Sequence, residues 1–392
     1  MKLQLIATAT FGLEAVVRRE IENLGYQIVS TEDGKITYTG DEKAIVRSNL
    51  WLRTSDRVQI KMAEFKALEF EDLFQQIKGI SWEEWIPIDG CFVISGSSVK
   101  SKLSSVPAVQ SVSEKAIVSR LSEFYQVEHF EKTGARYDIK VSLLKDRVTV
   151  TLDTTGPGLN KRGYRRLISE APIKETMAAA MVQLSFWKPT AKGENPRILV
   201  DPCCGSGTIP IEAAMIGKNI APGLKRTFAS EKWDAIPAEL WKQERANCYK
   251  EIRQDVELKI FGSDIDPEMI KIAKINAAEA GVDDVVKFNA CDVSALHTKA
   301  LSGVMVTNPP YGQRIGDRRA IDYIYGVWNK FFGENPTWSL FAITSDKTIE
   351  QKVWGKPADR RRKLYNGRLE VCYYQFHGQK PPKMMNEQPS GE

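Results

Sequence analysis

An asparagine and two prolines end an apolar run in GVMVTNPPYGQ, residues 303–313. Proline cannot donate to a sheet ladder, so Pro309 and Pro310 must end the strand that GVMVT predicts. The side-chain oxygen of Asn308 and the carbonyl oxygen of Pro309 are then two hydrogen-bond acceptors on a rigid turn. Aimed at the hydrogens of a nucleobase amine, they would localise the nitrogen lone pair and make it a nucleophile. Tyr311 offers a ring on which an unstacked base could lie.

A glycine-rich turn follows another apolar run in RILVDPCCGSGTIPIEAAMIG, residues 197–217. Such a strand, turn and helix bind ligands because glycines allow close approach and the helix N-terminus presents free N–H groups. The third glycine of a dinucleotide fingerprint and the GK[ST] of a phosphate loop are missing. Asp201, directly before the glycines, would repel a pyrophosphate but suits a ligand with an ammonium group. The turn predicts a nucleotide pocket without a phosphate clamp.

Two further acids stand at corresponding positions, because Asp264 ends FGSD and Asp292 follows FNAC. Ligands of doubly wound parallel sheets bind at the carboxyl ends of strands, so Asp201, Asp264 and Asp292 are expected to converge on one crevice. Asp264 suits two ribose hydroxyls and Asp292 suits an adenine amine. The ligand that fits is S-adenosylmethionine. NAD is disfavoured because Asp264 lies 57 positions after Gly207, whereas a dinucleotide site places its acid about 20 residues on.

The elements that must position these residues are helices alternating with short apolar strands from about residue 172 onward. Such a rhythm predicts a parallel sheet covered on both faces. An asparagine-glycine turn in KLYNGRLEV adds a hairpin. The prediction is an α/β, Rossmann-like domain with a seven-stranded, mostly parallel sheet and an antiparallel hairpin. Residues 227–243 must be looped out of it.

The front of the chain reads as two small α+β units, and the second offers no nucleophile, metal cluster or phosphate loop. Residues 1–60 resemble a ferredoxin-like unit, with Gly25 ending one helix and Asp41 capping the next. Residues 61–155 form the second unit, which we interpret as a binding module. The predicted organisation continues with a linker at 156–171, a catalytic domain at 172–380 and a flexible tail at 381–392.

Composition argues against a disordered chain and against a membrane protein. Hydrophobic residues make up 42% and charged residues 27% of the 392 residues, as in globular proteins, and no run is long enough for a membrane span. The N-terminus does not read as a signal peptide. Six cysteines without a CxxC pair and three scattered histidines disfavour a zinc site and a disulfide framework, and they favour the cytoplasm.

The surplus of positive over negative charge lies entirely after residue 160. The net charge is +5, yet residues 1–160 carry 20 Lys and Arg against 22 Asp and Glu. The surplus includes KRGYRR at 161–166 and RRRK at 360–363. Clusters of this kind either solvate a surface or contact phosphates.

In combination, DPCCGSGT, NPPY and KRGYRR followed by AP and a helix resemble a known family. It comprises the class I ribosomal RNA guanine-N2 methyltransferases that carry a THUMP domain, often labelled N6-adenine-specific DNA methylases. The resemblance covers nearly the whole chain. It implies S-adenosylmethionine as methyl donor, an RNA substrate, and a THUMP RNA-binding domain after the ferredoxin-like one. The best-known member carries a second methyltransferase domain after the first, which this sequence lacks, so only the guanine-N2 reaction is expected.

The resemblance also implies site residues. For catalysis they are Asn308, Pro309, Pro310 and Tyr311; for the methyl donor they are Asp201, Pro202, Cys203, Cys204, Gly205, Ser206, Gly207, Thr208, Asp264, Ile265, Asp292, Val293 and Asn308. No metal is expected. Our hypothesis for RNA contacts names the basic and aromatic residues near the linker and after the NPPY turn: Arg162, Tyr164, Arg165, Arg166, Arg314 and Arg318.

Other functions stay open on sequence alone. The same clamp would serve an N6-adenine DNA methyltransferase, although the slightly acidic first 160 residues show no helix-turn-helix signal. A transfer RNA guanine-N2 methyltransferase of THUMP type fits equally well. A non-catalytic RNA-binding factor is disfavoured because Asp201, Asp264, Asp292 and Asn308 are all present.

Overall fold

The computed structural model describes residues 2–165, 173–310, 317–367 and 369–380. The chain forms two compact units. The N-terminal unit comprises Met1–Gly163 and Ile220–Ile252, and the C-terminal unit comprises Tyr164–Asn219 and Arg253–Glu392. Each unit is built around its own sheet.

The N-terminal unit is an α+β structure. Its elements before residue 163 are β1 (Leu3–Ala9), α1 (Glu14–Asn23), β2 (Ile28–Glu32), β3 (Lys35–Gly40), α2 (Glu42–Trp51), β4 (Ser55–Lys66), α3 (Phe70–Lys78), β5 (Cys91–Val99), α4 (Val106–Tyr125), β6 (Arg136–Leu144) and β7 (Arg147–Asp153). A short 3-10 turn, Trp82–Glu84, follows α3.

Local chemistry explains where these elements begin and end. Asp41 caps α2 by accepting the N–H of Ala44 at 2.8 Å, as the sequence predicted. Gly25 follows α1 with a φ of +87°. The turn between β6 and β7 holds Lys145 and Asp146 at φ of +50° and +65°, and this left-handed pair gives the twist that a two-residue hairpin needs.

A single sheet runs through the whole N-terminal unit. In the described part of the unit its strand order is β2-β3-β1-β4-β7-β6-β5. The first half of β4 pairs with β1, and its second half pairs with β7. The ferredoxin-like and THUMP-like parts therefore share a continuous ladder through β4, which the sequence pattern did not reveal.

The remaining elements are α5 (Glu175–Leu184), β8 (Thr190–Ala191), β9 (Ile198–Asp201), α6 (Thr208–Gly217), α7 (Ala238–Lys250), β10 (Val256–Glu257), β11 (Ile260–Asp264), α8 (Pro267–Ala280), β12 (Val286–Ala290), β13 (Gly303–Thr307), α9 (Asp317–Glu334), β14 (Ser339–Thr344), β15 (Arg360–Asn366) and β16 (Leu369–Phe376). The 3-10 turns Ala229–Lys232 and Val293–Ala295 and the π-helical turn Glu350–Trp354 complete them.

Residues 220–252, which include α7, belong to the N-terminal unit although they lie between elements of the other unit. Helix α7 packs on α2, and Glu244 of α7 lies 3.2 Å from Nζ of Lys43. Trp233 is only 1% exposed and stacks on Tyr137 with ring centroids 4.9 Å apart. The segment predicted to leave the catalytic fold is therefore part of the core of the N-terminal unit.

The C-terminal unit has the predicted doubly wound sheet. In its described residues the strand order is β12-β11-β9-β13-β14-β16-β15. The pairs from β12 to β14 are parallel, and β16 is antiparallel to both β14 and β15. Asn366 pairs with Leu369 across the hairpin turn, which lies at the predicted asparagine-glycine site. The fold class predicted from sequence is confirmed.

Aromatic side chains fill the core on one face of this sheet. Trp328 and Tyr325 of α9 pack with Trp338, Leu340 and Phe376, and all are at most 1% exposed. Burial of this size stabilises the sheet by roughly 2 kcal/mol per large side chain. The packing fixes α9 against the strands that carry the site.

Candidate active site

Four polar side chains lie at the carboxyl ends of four neighbouring strands. Asp264 ends β11, Asp201 ends β9, Asn308 directly follows β13, and Asp292 comes two residues after β12. The strand order places them side by side along one edge of the sheet. From β9 the chain adds β11 and then β12 on one side of the sheet. It then returns to the other side of β9, where it adds β13 and β14. This reversal is the switch point at which doubly wound sheets bind ligands.

The loop between β9 and α6 uses its two glycines differently. Gly207 has a φ of +83°, and a Cβ there would lie 2.7 Å from Phe288, so glycine lets α6 approach the sheet. Gly205 has a φ of +49°, and among the described residues no atom lies within 4 Å of such a Cβ. Its open side allows a ligand to approach the backbone at the start of α6.

Asp264 fastens this loop to β11. Its Oδ2 accepts the N–H of Gly205 at 2.9 Å, and its Oδ1 accepts the N–H of Asp266 at 3.1 Å. Each carboxylate oxygen still has a second acceptor direction. The next side chain, Ile265, is 72% exposed. A carboxylate that can accept from hydroxyls and an exposed apolar side chain thus stand together at the rim.

Asp201 is buried rather than presented to a ligand. It is 2% exposed, and its Oδ1 accepts the hydroxyl of Thr307 at 2.7 Å and the N–H of Cys203 at 3.2 Å. Burial raises the pKa of this carboxyl to about 7, and the nearby Asp264 carboxylate adds to the effect. The predicted contact with an ammonium group is disfavoured by this geometry, in which Asp201 organises the loop.

The rest of the loop is mostly buried. Pro202, Cys204, Ser206 and Thr208 are buried, and Cys203 is half-buried. The N–H of Cys204 donates to the carbonyl of Ser263 at 2.9 Å, which holds the loop against β11. Burial raises the pKa of both vicinal thiols well above the usual range, so they stay neutral and are poor nucleophiles.

Asp292 caps the short turn Val293–Ala295. Its Oδ1 accepts the N–H of Ser294 at 2.8 Å and the hydroxyl of Tyr323 at 2.7 Å. These hydrogen bonds lower the pKa of Asp292, so it is an ionised acceptor at neutral pH. Val293 is 7% exposed and packs in the core below.

The NPPY turn begins where β13 ends. Asn308 is half-buried, Pro309 is buried and Pro310 is exposed. The strand stops at Thr307, directly before the asparagine, as predicted. Tyr311 lies outside the described residues.

Three of the residues predicted to contact RNA are held inside the fold. Arg162 is 2% exposed and donates to the carbonyls of Leu159 and Arg53. Tyr164 is 2% exposed and donates its hydroxyl to Glu212 at 3.0 Å. Burial disfavours direct RNA contact by Arg162 and Tyr164.

Arg165 is the third residue of this set and is partly buried. It donates to Oγ1 of Thr208 at 2.6 Å and to the carbonyl of Ile173 at 2.9 Å, and it lies 3.4 Å from Glu175. The guanidinium is bonded to the first residue of α6 and so supports the loop between β9 and α6. This geometry also disfavours an RNA contact.

The other predicted RNA contacts lie near the NPPY turn. Arg166 and Arg314 are outside the described residues. Arg318 is half-exposed at the start of α9, 3.2 Å from Asp346 and 3.5 Å from Asp322. Its charge is balanced by these two carboxylates, which weakens its attraction for phosphate.

Sequence reasoning missed residues that hold the site residues in place through hydrogen bonds. Asn276 of α8 is fully buried and donates its side-chain amide to the carbonyl of Ser206 at 3.0 Å. Tyr323 and Thr307 hold Asp292 and Asp201, as described above. Only Asn276 could have been noticed in the sequence, because it is a polar residue on the buried face of an amphipathic helix. The other contacts join residues far apart in sequence.

The residues present fit S-adenosylmethionine. In the described residues this edge carries acidic side chains and no phosphate clamp, the space beside Gly205 is open, and Asp264 and Asp292 follow neighbouring strands. Within the described ranges, no group of three or more His, Cys, Asp or Glu side chains could hold a metal ion. No helix in the described part of the chain is both long and apolar enough to cross a membrane.

A doubly wound sheet with a terminal hairpin and an acidic nucleoside site at its switch point defines a class I S-adenosylmethionine-dependent methyltransferase. Residues 162–375 match the UPF0020 family model, described as "RMKL-like, methyltransferase domain". The chain belongs to this family. Residues 4–59 match the RlmL ferredoxin-like domain and residues 67–153 match the THUMP domain. The domain boundaries given above remain predictions.

Two relatives match more than nine-tenths of this chain. YpsC of Bacillus subtilis (strain 168), provisionally named an RNA methyltransferase, is 46% identical over 384 residues, which cover 97% of this chain and 98% of YpsC. The ribosomal RNA large subunit methyltransferase K/L of Psychromonas ingrahamii is 33% identical over 367 residues. That match covers 92% of this chain but 48% of the K/L protein, so the chain spans about half of that relative.

Two solved structures are similar to the chain over nearly its whole length. A Listeria monocytogenes protein described as a predicted N6-adenine-specific DNA methylase is 46% identical, with a TM-score of 0.91 and 97% of each chain covered. SMU.472, provisionally described as a methyltransferase and complexed with SAH, is 43% identical, with a TM-score of 0.89 over 97% of this chain and 99% of that chain. SAH is the product left by the methyl donor, and S-adenosylmethionine is the cofactor of this family.

Proposed function

We propose that the protein transfers a methyl group from S-adenosylmethionine to the exocyclic N2 amine of a guanine in large-subunit ribosomal RNA. The observation that carries the proposal is the row of Asp292, Asp264, Asp201 and Asn308 at the ends of adjacent strands. This row supports a nucleoside site beside an amine clamp on one sheet edge.

The donor residues have distinct roles in the proposal. Asp264 accepts from the ribose hydroxyls through its remaining lone pairs, and Asp292 accepts from the adenine amine. Ile265 covers one face of the adenine, because it is exposed beside Asp264. The loop from Pro202 to Thr208 receives the amino-acid arm at the start of α6. When bound, the donor supplies an electrophilic methyl group on a sulfonium.

The acceptor amine is activated by the NPPY turn. The side-chain oxygen of Asn308 and the carbonyl of Pro309 accept its two hydrogens, which localises the nitrogen lone pair towards the methyl group. Because two prolines fix the backbone, the acceptors are in place before the reaction and need no reorganisation. Tyr311 is assigned the stacking contact with the flipped base.

No strong base is required by this mechanism. The amine loses its proton easily once the methyl group is attached, so solvent can accept it. The neutral thiols of Cys203 and Cys204 and the buried Asp201 are consistent with a site that binds and orients.

The choice of ribosomal RNA rests on relatives and on the front of the chain. The K/L relative acts on large-subunit ribosomal RNA by its name. The THUMP match at residues 67–153 supports RNA as the partner. The slight excess of acidic residues over residues 1–160 disfavours a DNA enzyme, which usually presents a basic face. We retain a cytoplasmic location as a prediction from the cysteine pattern.

The test is a methylation assay with the purified full-length protein. Tritium-labelled methyl donor is incubated separately with large-subunit ribosomal RNA, transfer RNA and duplex DNA, and the nucleosides are identified by mass spectrometry. We expect N2-methylguanosine in ribosomal RNA. N6-methyladenosine, or methylation of transfer RNA or DNA alone, would contradict the proposal.

A matched pair of variants ties the activity to the clamp. Asn308→Ala should lower the rate of methyl transfer by about 100-fold to 1,000-fold, as for loss of one preorganised polar group. Asn23→Ala, which removes an exposed asparagine of α1, should leave the rate unchanged.

A further inference from the structure

Thr307 and Asp201 form a buried hydrogen bond between two neighbouring strands. Thr307 is the last residue of β13 and is fully buried, and its hydroxyl donates to Oδ1 of Asp201 at 2.7 Å. Asp201 is the last residue of β9 and is 2% exposed. The two strands run parallel, with Met305 paired to Val200, so both side chains emerge at the same edge.

The same carboxylate also holds the donor loop. Oδ1 of Asp201 accepts the N–H of Cys203, in the first turn of the loop, at 3.2 Å. Thr307 directly precedes Asn308, the first residue of the NPPY turn. One oxygen atom therefore connects the backbone of the donor loop to the strand that ends in the amine clamp.

Packing alone does not explain this pair. The other residues of β13 after Gly303 are Val304, Met305 and Val306, and all three are fully buried. Burying a carboxylate among apolar side chains is costly unless hydrogen bonds compensate. A valine at 307 with an apolar residue at 201 would pack well and avoid that cost. The pair is better explained by a requirement to fix the two loops relative to each other.

We propose that Thr307 is a positioning residue for methyl transfer, which acts by holding Asp201 and thereby setting the donor loop at a fixed distance from Asn308. This inference rests on the proposed function, because it assigns the loop to the donor and Asn308 to the acceptor. Displacement of reacting groups by about 1 Å can cost 100-fold in rate. Thr307 therefore acts on the rate more than on donor affinity.

The hydrogen bond depends on the charge of Asp201. The titratable groups that face it are Asp264 on β11 and the thiols of Cys203 and Cys204 on the loop. The thiols are neutral, while the Asp264 carboxylate disfavours ionisation of Asp201. The hydroxyl of Thr307 and the N–H of Cys203 favour it. The ionised carboxylate accepts hydrogen bonds more strongly than the neutral acid. Because the pKa of Asp201 is raised to about 7, this ionised form appears as the pH rises through about 7.

The experiment compares wild type, Thr307→Val, Thr307→Ser and Asp201→Asn in the full-length protein. Total methyl incorporation into RNA is measured from pH 5.5 to 9, whichever nucleoside is modified, and SAH affinity is measured by calorimetry. Thr307→Val should lower kcat by about 10-fold to 100-fold. It should weaken SAH binding by less than about threefold. Thr307→Ser keeps the hydroxyl and should restore the rate.

The pH profile separates positioning from general damage. Wild type should gain activity as the pH rises through about 7. The inflection should move to higher pH in Thr307→Val, because the ionised carboxylate loses a donor, and it should vanish in Asp201→Asn. The matched control is Thr344→Val, which removes a buried hydroxyl at the end of β14 and should leave the profile unchanged.

Two results would overturn the inference. One is an equal loss of SAH affinity and kcat in Thr307→Val, and the other is a pH profile that is the same in wild type, Thr307→Val and Asp201→Asn. If Thr307→Val fails to fold, the Asp201→Asn profile decides alone. A product other than N2-methylguanosine would contradict the proposed function but leave the test of Thr307 intact, since incorporation is counted regardless of product.

Discussion

The hydroxyl of Tyr323 donates to Oδ1 of Asp292 at 2.7 Å. The N–H of Ser294 donates to the same oxygen at 2.8 Å, so both of these hydrogen bonds end on Oδ1. Oδ2 is then the oxygen we assign to the adenine amine. Tyr323 belongs to α9, which begins at residue 317, soon after the NPPY turn. Asp292, the residue proposed to bind the adenine, is thus linked to the helix that follows the NPPY turn.

Loss of the tyrosine hydroxyl should weaken donor binding. Tyr323→Phe keeps the ring but lets the Asp292 carboxylate rotate, so we expect SAH affinity to fall by about fivefold, which corresponds to roughly 1 kcal/mol for one hydrogen bond. Isothermal titration calorimetry with SAH measures this. Tyr249→Phe, a change at an exposed tyrosine of α7, serves as the control. Unchanged affinity in Tyr323→Phe would remove the tyrosine from the site.

Loss of Asp264 should affect the affinity for the methyl donor more than the rate of the chemical step. Asp264→Ala removes the assigned ribose acceptor and also the partner of the Gly205 N–H, so the donor loop loosens. We expect SAH binding to weaken by at least about 100-fold, as when a charged hydrogen-bonding partner is lost. Asp283→Ala, at an exposed acid after α8, is the matched control. Calorimetric binding that survives Asp264→Ala intact would exclude it from the ribose.

Asp201 should make the stability of the protein depend on pH. Its pKa is raised from 3.8 to about 7 in the folded protein, so the folded state binds this proton more tightly than the unfolded chain. The stability contributed by that proton is present at low pH and is lost as the pH rises from about 4 to about 7. Asp201→Asn cannot ionise. Its melting temperature relative to wild type should therefore rise across this window, as differential scanning calorimetry would detect. A difference that stays constant with pH would contradict the assigned burial.

Residues 220–252 should stabilise the N-terminal unit. Trp233 stacks on Tyr137 and donates Nε1–H to the carbonyl of Arg136 at 3.0 Å. Trp233→Ala should cost about 3–5 kcal/mol, as for other buried aromatic side chains. Hydrogen exchange should then accelerate in β6, while SAH affinity stays at the wild-type level. Exchange that accelerates around Asp264 and leaves β6 protected would contradict this assignment.

The fold was largely predictable because its signals are local. Caps such as Asp41 and Asp266, the Lys145-Asp146 turn and the alternating apolar runs each act within a few residues. The continuous ladder through β4 and the packing of Trp233 depend on residues about 90 positions apart in sequence, and no local pattern encodes such pairings.

The residues at the strand ends were predictable from the sequence, whereas the buried contacts that hold them were not. A polar residue after an apolar strand is visible in sequence, and Asp264, Asp292 and Asn308 lie at the strand ends where the sequence predicts them; their roles stay predictions. The ligand contact of Asp201 stays a prediction, which its burial and its contact with Thr307 disfavour; both are tertiary properties that the sequence does not show. For the same reason Arg162 was assigned to RNA although its guanidinium serves backbone carbonyls.

The central claim is that the donor lies between the Asp264 and Asp292 end of the sheet edge and the turn at Asn308. A crystal structure of the full-length protein with SAH tests it most directly. We predict ribose hydroxyls on Asp264, the adenine amine on Asp292, and the sulfur facing Asn308 and the Pro309 carbonyl. An adenosine bound elsewhere, or a sulfur turned away from Asn308, would contradict the account.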